Sequence, residues 1–148
     1  MKENNEKEMP QISEKDLKVL SNEIKKRLTE FAPKAFKKCD SNIRFRHIEL
    51  NFGDDGEIVI RIPSVFTPDN EFLFCIALVR INIPEKYKRQ GIGSELIKIL
   101  EEIASANSII DGVLLEQVNT LEMKSLAMKC GYKKDPRIID VRDGLFIS

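Results

Sequence analysis

The residues of this chain best suited to chemistry lie between Ile81 and Ser94, in the run Ile81-Asn82-Ile83-Pro84-Glu85-Lys86-Tyr87-Lys88-Arg89-Gln90-Gly91-Ile92-Gly93-Ser94. An apolar strand ends at Pro84, a basic turn follows, and two glycines open an amphipathic helix. Glycines in such a turn let consecutive backbone N–H groups converge on one point. The helix start behind them adds about half a positive elementary charge. Lys86, Lys88 and Arg89 bring full charges to the same place. This combination is suited to holding a diphosphate.

Two common phosphate loops are excluded by spacing. A Walker loop needs Gly-Lys-Ser/Thr, and no such triplet follows the glycines. A dinucleotide fingerprint needs a third glycine where Leu96 stands. The run instead resembles the acetyl-CoA loop of the GNAT family of N-acetyltransferases, Gln/Arg-x-x-Gly-x-Gly/Ala after an aromatic residue and a Pro-bounded strand. Tyr87 is the aromatic, Lys88 stands at the Gln/Arg position, and Gly91 and Gly93 match. Lysine for arginine keeps the charge and loses the planar two-pronged donor. The Lys88–Ser94 run is also similar to compact acetyltransferases of phage and mobile elements.

The resemblance implies acetyl-CoA as co-substrate. Pantetheine would pair with backbone at Ile81, Asn82 and Ile83. The pyrophosphate would meet Lys88 and the N–H groups of Arg89, Gln90, Gly91, Ile92, Gly93 and Ser94. Asn119 and Gly131-Tyr132 resemble later family marks: Asn119 would touch the cofactor or cap a helix, and Tyr132 would be a buried structural ring or a proton donor. Two departures stand out. The family's thiolate-protonating tyrosine falls on Ala127, and the glutamate that some members use as base falls on Ala77. Glu116, on the next strand, is then the best-placed carboxylate, with a solvated strand-edge charge as its plain alternative. Glu49 and His47 are weaker candidates.

A missing base does not by itself exclude transfer. A lysine amine, with a pKa of about 10.4, costs roughly 4.6 kcal/mol to present neutral at pH 7, whereas a protein N-terminus costs about 1.4 kcal/mol. A positioned base contributes about 10²–10⁴-fold, and holding two reactants together can supply more. The sequence therefore implies an N-acetyltransferase in which a primary amine attacks the thioester directly in a ternary complex. The rival reading is a catalytically idle acyl-CoA-binding or protein-interaction module, which Ala77 and Ala127 favour.

The elements that must position these residues follow from periodicity. Ser13-Glu14-Lys15-Asp16 caps a helix carrying Leu17, Leu20, Ile24, Leu28 and Phe31, limited by Pro33. Ala35, Phe36 and Cys39 suggest a further short turn. Ile43 to Phe52 reads as one strand, then a Gly53-Asp54-Asp55-Gly56 turn, then a strand from Glu57 to Ile62. Pro63 to Asn70 reads as a loop. Phe72 to Ile83 is a mid-sheet strand, apolar on both faces until Arg80 and Asn82. Helix is expected from Ser94 to Ser105, strand over Gly112 to Val118, helix from Leu121 to Lys129 ended by Gly131, and a last strand within Asp140 to Ile147. The fold class is α/β: a GNAT-like mixed, mainly antiparallel central sheet with helices on both faces and a helical N-terminal segment.

Composition bounds the rest. The 148 residues, 42% hydrophobic and 32% charged, suit one domain over residues 13–148 behind a polar tail, 1–12. The 24 basic side chains balance 24 acidic ones, which argues against nucleic acid as partner. Cys39, Cys75 and Cys130 form no Cys-x-x-Cys pair and His47 is the one histidine, so no metal site is expected. No apolar run reaches the ~18 residues of a membrane span. A cytoplasmic enzyme with reduced thiols is the simplest expectation, its acceptor a small molecule or a protein. A homodimer is compatible with the sequence, which leaves oligomeric state open.

Overall fold

The computed structural model describes residues 12–66, 73–116, 121–131 and 145–147. Helix α1 (Glu14–Phe31) starts where Ser13, in extended backbone, accepts the Asp16 N–H at 3.1 Å on its Oγ. Its apolar stripe buries Leu17, Ile24 and Leu28 completely. It stops at Ala32, one residue before Pro33, as the missing N–H of proline requires.

Among the described residues six strands form one sheet in sequence order: β1 (Cys39–Arg44), β2 (His47–Phe52), β3 (Gly56–Phe66), β4 (Leu73–Asn82), β5 (Gly112–Leu115) and β6 (Leu145–Ile147). Neighbours are antiparallel except β4 and β5, which run parallel through the crossover helix α2 (Ile92–Ala106). Helix α3 (Leu121–Lys129) follows β5, and Gly131 at φ 79° follows it as a left-handed stop.

One face of the sheet carries the main core. Ile48 and Leu50 of β2, Ile58 and Ile60 of β3, and Ile76, Leu78 and Ile81 of β4 meet Ile24 of α1 and Leu96 and Leu100 of α2. Phe36 and Phe52 stack there at 4.3 Å between centroids. The salt bridge Arg27–Glu102, at 2.7 Å, joins α1 to α2. The opposite face holds a smaller cluster, Val59, Cys75, Ala77, Val79 and Leu114. No helical side chain belongs to that cluster among the described residues.

Four boundaries differ from the sequence reading, the first three for a local reason. The single strand expected from Ile43 to Phe52 is two strands joined by a tight turn at Phe45 and Arg46. Phe45 takes φ 53°, a conformation that Gly or Asn usually advertises, so no turn signal was present. The loop expected from Pro63 begins later, because β3 continues to Phe66. Pro63 is tolerated at a register shift between Arg61 and Ser64, where no ladder N–H is required of it. Helix α2 begins at Ile92 rather than Ser94, since Gly91 already serves as its N-cap. Strand β5 ends at Leu115 within the expected Gly112–Val118 span.

Candidate functional site

A second irregularity of β3 and β4 shapes the site. Ile60 pairs with Leu78, yet Val59 pairs with Arg80, so β4 carries an extra residue at Val79. Strand β5 pairs with β4 only as far as Leu78 and Leu115, and the Glu116 N–H donates to the Leu78 carbonyl at 3.0 Å. Past that rung β4 runs on to Asn82 while β5 has ended. Among the described residues no strand covers the β4 edge from Val79 to Asn82. Strand β5 ends here, and β4 leads on into the basic turn.

The turn is built by short-range bonds. Pro84 sets φ −55°, Glu85–Tyr87 make one 3-10 turn, and the Tyr87 and Lys88 N–H groups donate to the Pro84 and Glu85 carbonyls at 2.9 and 3.2 Å. Arg89 then takes φ 70° and Gly91 φ 79°. Alternation into the left-handed region turns successive N–H groups toward one side. Within α2 the first ladder bond runs from the Glu95 N–H to the Gly91 carbonyl at 2.9 Å, which leaves the Ile92, Gly93 and Ser94 N–H groups without a place in the helix ladder.

Neighbours hold the turn in place. A Cβ on Gly53 would stand 3.3 Å from Pro84 Cγ and 3.5 Å from the Tyr87 ring, so the β2–β3 turn packs directly against it. The Tyr87 hydroxyl donates to the Lys34 carbonyl at 3.4 Å, and the Asn82 side chain donates to the Asp55 carbonyl at 3.0 Å. A Cβ on Gly93 would stand 3.1 Å from Leu126, so glycine lets α3 close on the start of α2.

Between these parts lies a groove of about 320 Å³. It is lined by Ile81, Ile83, Tyr87, Lys88, Arg89, Gly91, Ile92, Gly93, Ser94, Ser125, Leu126 and Lys129. The structure thus gathers eight of the expected cofactor-contacting residues: Ile81, Ile83, Lys88, Arg89, Gly91, Ile92, Gly93 and Ser94. Asn82 and Gln90 do not line the groove; Asn82 pairs with Glu57 on β3 and is tied to the β2–β3 turn. Asn119 and Tyr132 lie outside the described residues.

Lys129 is an addition that sequence reasoning missed. Its spacing of four from Ser125 places both on one side of α3, a signal that was legible once α3 was read as facing the glycines. Lys88 holds Glu85 at 3.5 Å, and Lys86 lies over the Tyr87 ring at 5.2 Å. Ser94 also hydrogen-bonds Cys130, which opposes the upward push that burial gives that thiol.

The catalytic candidates fall on the opposite face of the sheet. Glu116 Oε2 receives Arg61 Nη1 at 3.1 Å, and Arg61 Nε donates to His47 Nε2 at 3.3 Å. His47 therefore accepts at Nε2 as a neutral imidazole. Burial lowers its pKa from the ordinary 6.5, the Arg61 charge lowers it further, and Glu49 opposes both. Glu49 itself pairs with Arg44 at 3.3 Å. Ala77 is fully buried in the small cluster, and Ala127 is buried in the main core, so neither position presents a titratable group.

Other hollows carry less chemistry. A larger one, about 770 Å³, lies at the far end of α2 between Lys98 and Val113. It has no glycine turn and no free helix N-terminus, so size alone does not make it the site. No cluster of His, Cys, Asp or Glu among the described residues could hold a metal ion, and no described helix is long and apolar enough to cross a membrane.

No family model matches the chain, and no curated protein does. Solved structures do. The chain is similar to the KacTA–DNA complex at TM-score 0.53 and 17% identity, over 71% of this chain and 69% of that one. It is similar to a mutant AtaT toxin bound to the C-terminus of the antitoxin AtaR and acetyl-CoA, at TM-score 0.51 and 17% identity, over 68% of this chain. The match spans 66% of that toxin chain, just under two thirds. AtaTR bound with acetyl-CoA matches at TM-score 0.50 and 17% identity, over 69% and 67% of the two chains. At this identity the likeness establishes the fold, which is GNAT-like: a mixed, mainly antiparallel sheet with an N-terminal helix and a crossover helix behind the glycine turn.

Proposed function

We propose that the chain binds acetyl-CoA along the groove and transfers its acetyl group to a primary amine. The observation that carries this reading is that the unladdered N–H groups at the start of α2 belong to residues lining a groove beside the uncovered end of β4. The pyrophosphate sits at the N–H groups of Gly91, Ile92, Gly93 and Ser94, with Lys88, Arg89 and Lys129 around it. Pantetheine runs along the uncovered edge of β4, using backbone groups near Ile81. Two of the similar structures were solved with acetyl-CoA, which supports the choice of thioester.

Transfer then needs little more than placement. The acceptor ammonium gives a proton to Glu116 or to water. Its lone pair forms the new C–N bond while the C–S bond breaks and the thiolate leaves with the bonding pair; the second proton of the acylated nitrogen passes through water to the thiolate, which leaves a neutral amide and a thiol. A backbone N–H near Ile81 polarises the thioester carbonyl. Ala127 means that no tyrosine protonates the thiolate from that helix position.

The KacTA neighbour was solved with DNA, so an even charge balance is not by itself ground for setting nucleic acid aside. A second reading, an idle acyl-CoA-binding module, rests on Ala77 and Ala127. Calorimetry with CoA and acetyl-CoA tests the shared part of both readings. Binding of neither thioester nor thiol removes them together. Binding without acetylation of any peptide or small amine in a broad panel favours the idle module.

A further inference from the structure

We infer that Arg61 is a positioning residue that holds the Glu116 carboxylate at the end of the β4–β5 pairing, ready for the incoming amine. This rests on the acetyl-transfer reading of the groove and assigns it a part that the loop alone does not supply.

The geometry is specific. Arg61 stands on β3 and Glu116 just past the end of β5, so the pair must span the intervening strand β4. Arg61 pairs in register with Ala77, and Ala77 with Leu114. A methyl group at position 77 leaves the guanidinium room to cross. A glutamate at that position, the residue some GNAT members use as base, would fill the crossing point. The same alanine that removes one carboxylate from β4 thus admits a bridge to another on β5.

The place is equally specific. The Glu116 N–H makes the bond to Leu78 at the end of the β4–β5 pairing, and from there its side chain reaches Arg61 at 3.1 Å. Below the bridge lies the apolar cluster Val59, Cys75, Ala77, Val79 and Leu114. The two charged side chains are 30% and 17% exposed. A partly desolvated pair over an apolar patch is weak evidence of a stability role, because well-packed apolar residues serve as well or better. Arg61 also carries a second anchor, His47 Nε2, which fixes its fork in one orientation. The groups around the pair are Arg61 and His47 with Glu49 and Arg46 on the β2 side, and Cys75 and Asp111 on the β4–β5 side.

The test uses the full chain with acetyl-CoA and a panel of peptides carrying a free N-terminus or a lysine, followed by product mass and thiol release across pH 6 to 9. CoA affinity, read by calorimetry, stays within about twofold in Arg61→Met and Glu116→Gln, because the cofactor loop lies elsewhere. Acetyl transfer falls about 10- to 100-fold in kcat for each variant, with the double variant no worse than the single ones. Arg61→Lys restores part of the rate. Unchanged kcat in folded Arg61→Met and Glu116→Gln, or no recovery of rate in Arg61→Lys, overturns the assignment while leaving the acetyl-transfer reading intact. Wild-type protein that binds CoA and transfers nothing across the panel overturns both.

Discussion

Gly93 and Leu126 meet at the junction of α2 and α3, where an added Cβ on Gly93 would lie 3.1 Å from one Leu126 methyl and 3.4 Å from the other. This contact closes one wall of the groove and brings Lys129, three residues beyond Leu126, to the same groove as the glycine turn.

Gly93→Val should force α3 away from α2. We expect a stability loss of about 1–3 kcal/mol, in the range of overpacked core sites, and weaker CoA binding. Urea unfolding and calorimetry measure the two effects. Unchanged affinity for CoA would mean that the α2–α3 wall does not form the binding groove.

Gly91→Ala separates strain from crowding. A Cβ there would meet only Phe31 at an ordinary 3.6 Å, so the cost comes from φ 79°. A left-handed residue costs an L-amino acid roughly 1–2 kcal/mol, and a drop of that size in unfolding free energy is expected. A stability gain would show that the turn relaxes to another backbone path.

His47 predicts a pH dependence of folding. Its pKa is lowered in the folded chain, first by burial and then by Arg61, so the unfolded chain binds the proton more readily. The contribution is fully present above the ordinary value of 6.5 and is lost as pH falls through the folded value. Unfolding midpoints from pH 8 to pH 5 should fall more steeply in the wild type than in His47→Gln. Parallel curves would show that the Arg61–His47 bond is not made in solution.

The three thiols should differ in reactivity. Burial pushes Cys75 up to about 12, and raises Cys39 and Cys130 as well. Cys130 is the one that is not fully enclosed. A small thiol reagent at pH 8 should modify Cys130 first and Cys75 only on unfolding, as mass mapping of labelled peptides would report. Early modification of Cys75 would contradict its place under the Arg61–Glu116 bridge.

The sequence by itself determined the elements whose cause is local. Ser13 caps α1 because its hydroxyl reaches an N–H three residues on. Pro33 limits α1, and Gly131 follows α3, for backbone reasons visible in residue type alone. The glycine turn after Pro84 was legible for the same reason, and with it the nature of the ligand it suits. Phe45 hid its turn, because a phenylalanine gives no warning of a left-handed backbone. Pro63 signalled a loop, because only the register of β3 on β4 reveals that its missing N–H is not needed.

What tertiary structure decided is the set of partners drawn from distant parts of the chain. Glu116 was legible as a carboxylate near the end of a strand, but not as the partner of Arg61, 55 positions away. Strand order, the bulge at Val79 and the small side chain of Ala77 bring the two together. Periodicity records which face a residue occupies and says nothing of which strand lies beside it. The glycine turn is a local object and could be read from the chain; the carboxylate bridge is made by three strands and exists only in the folded sheet.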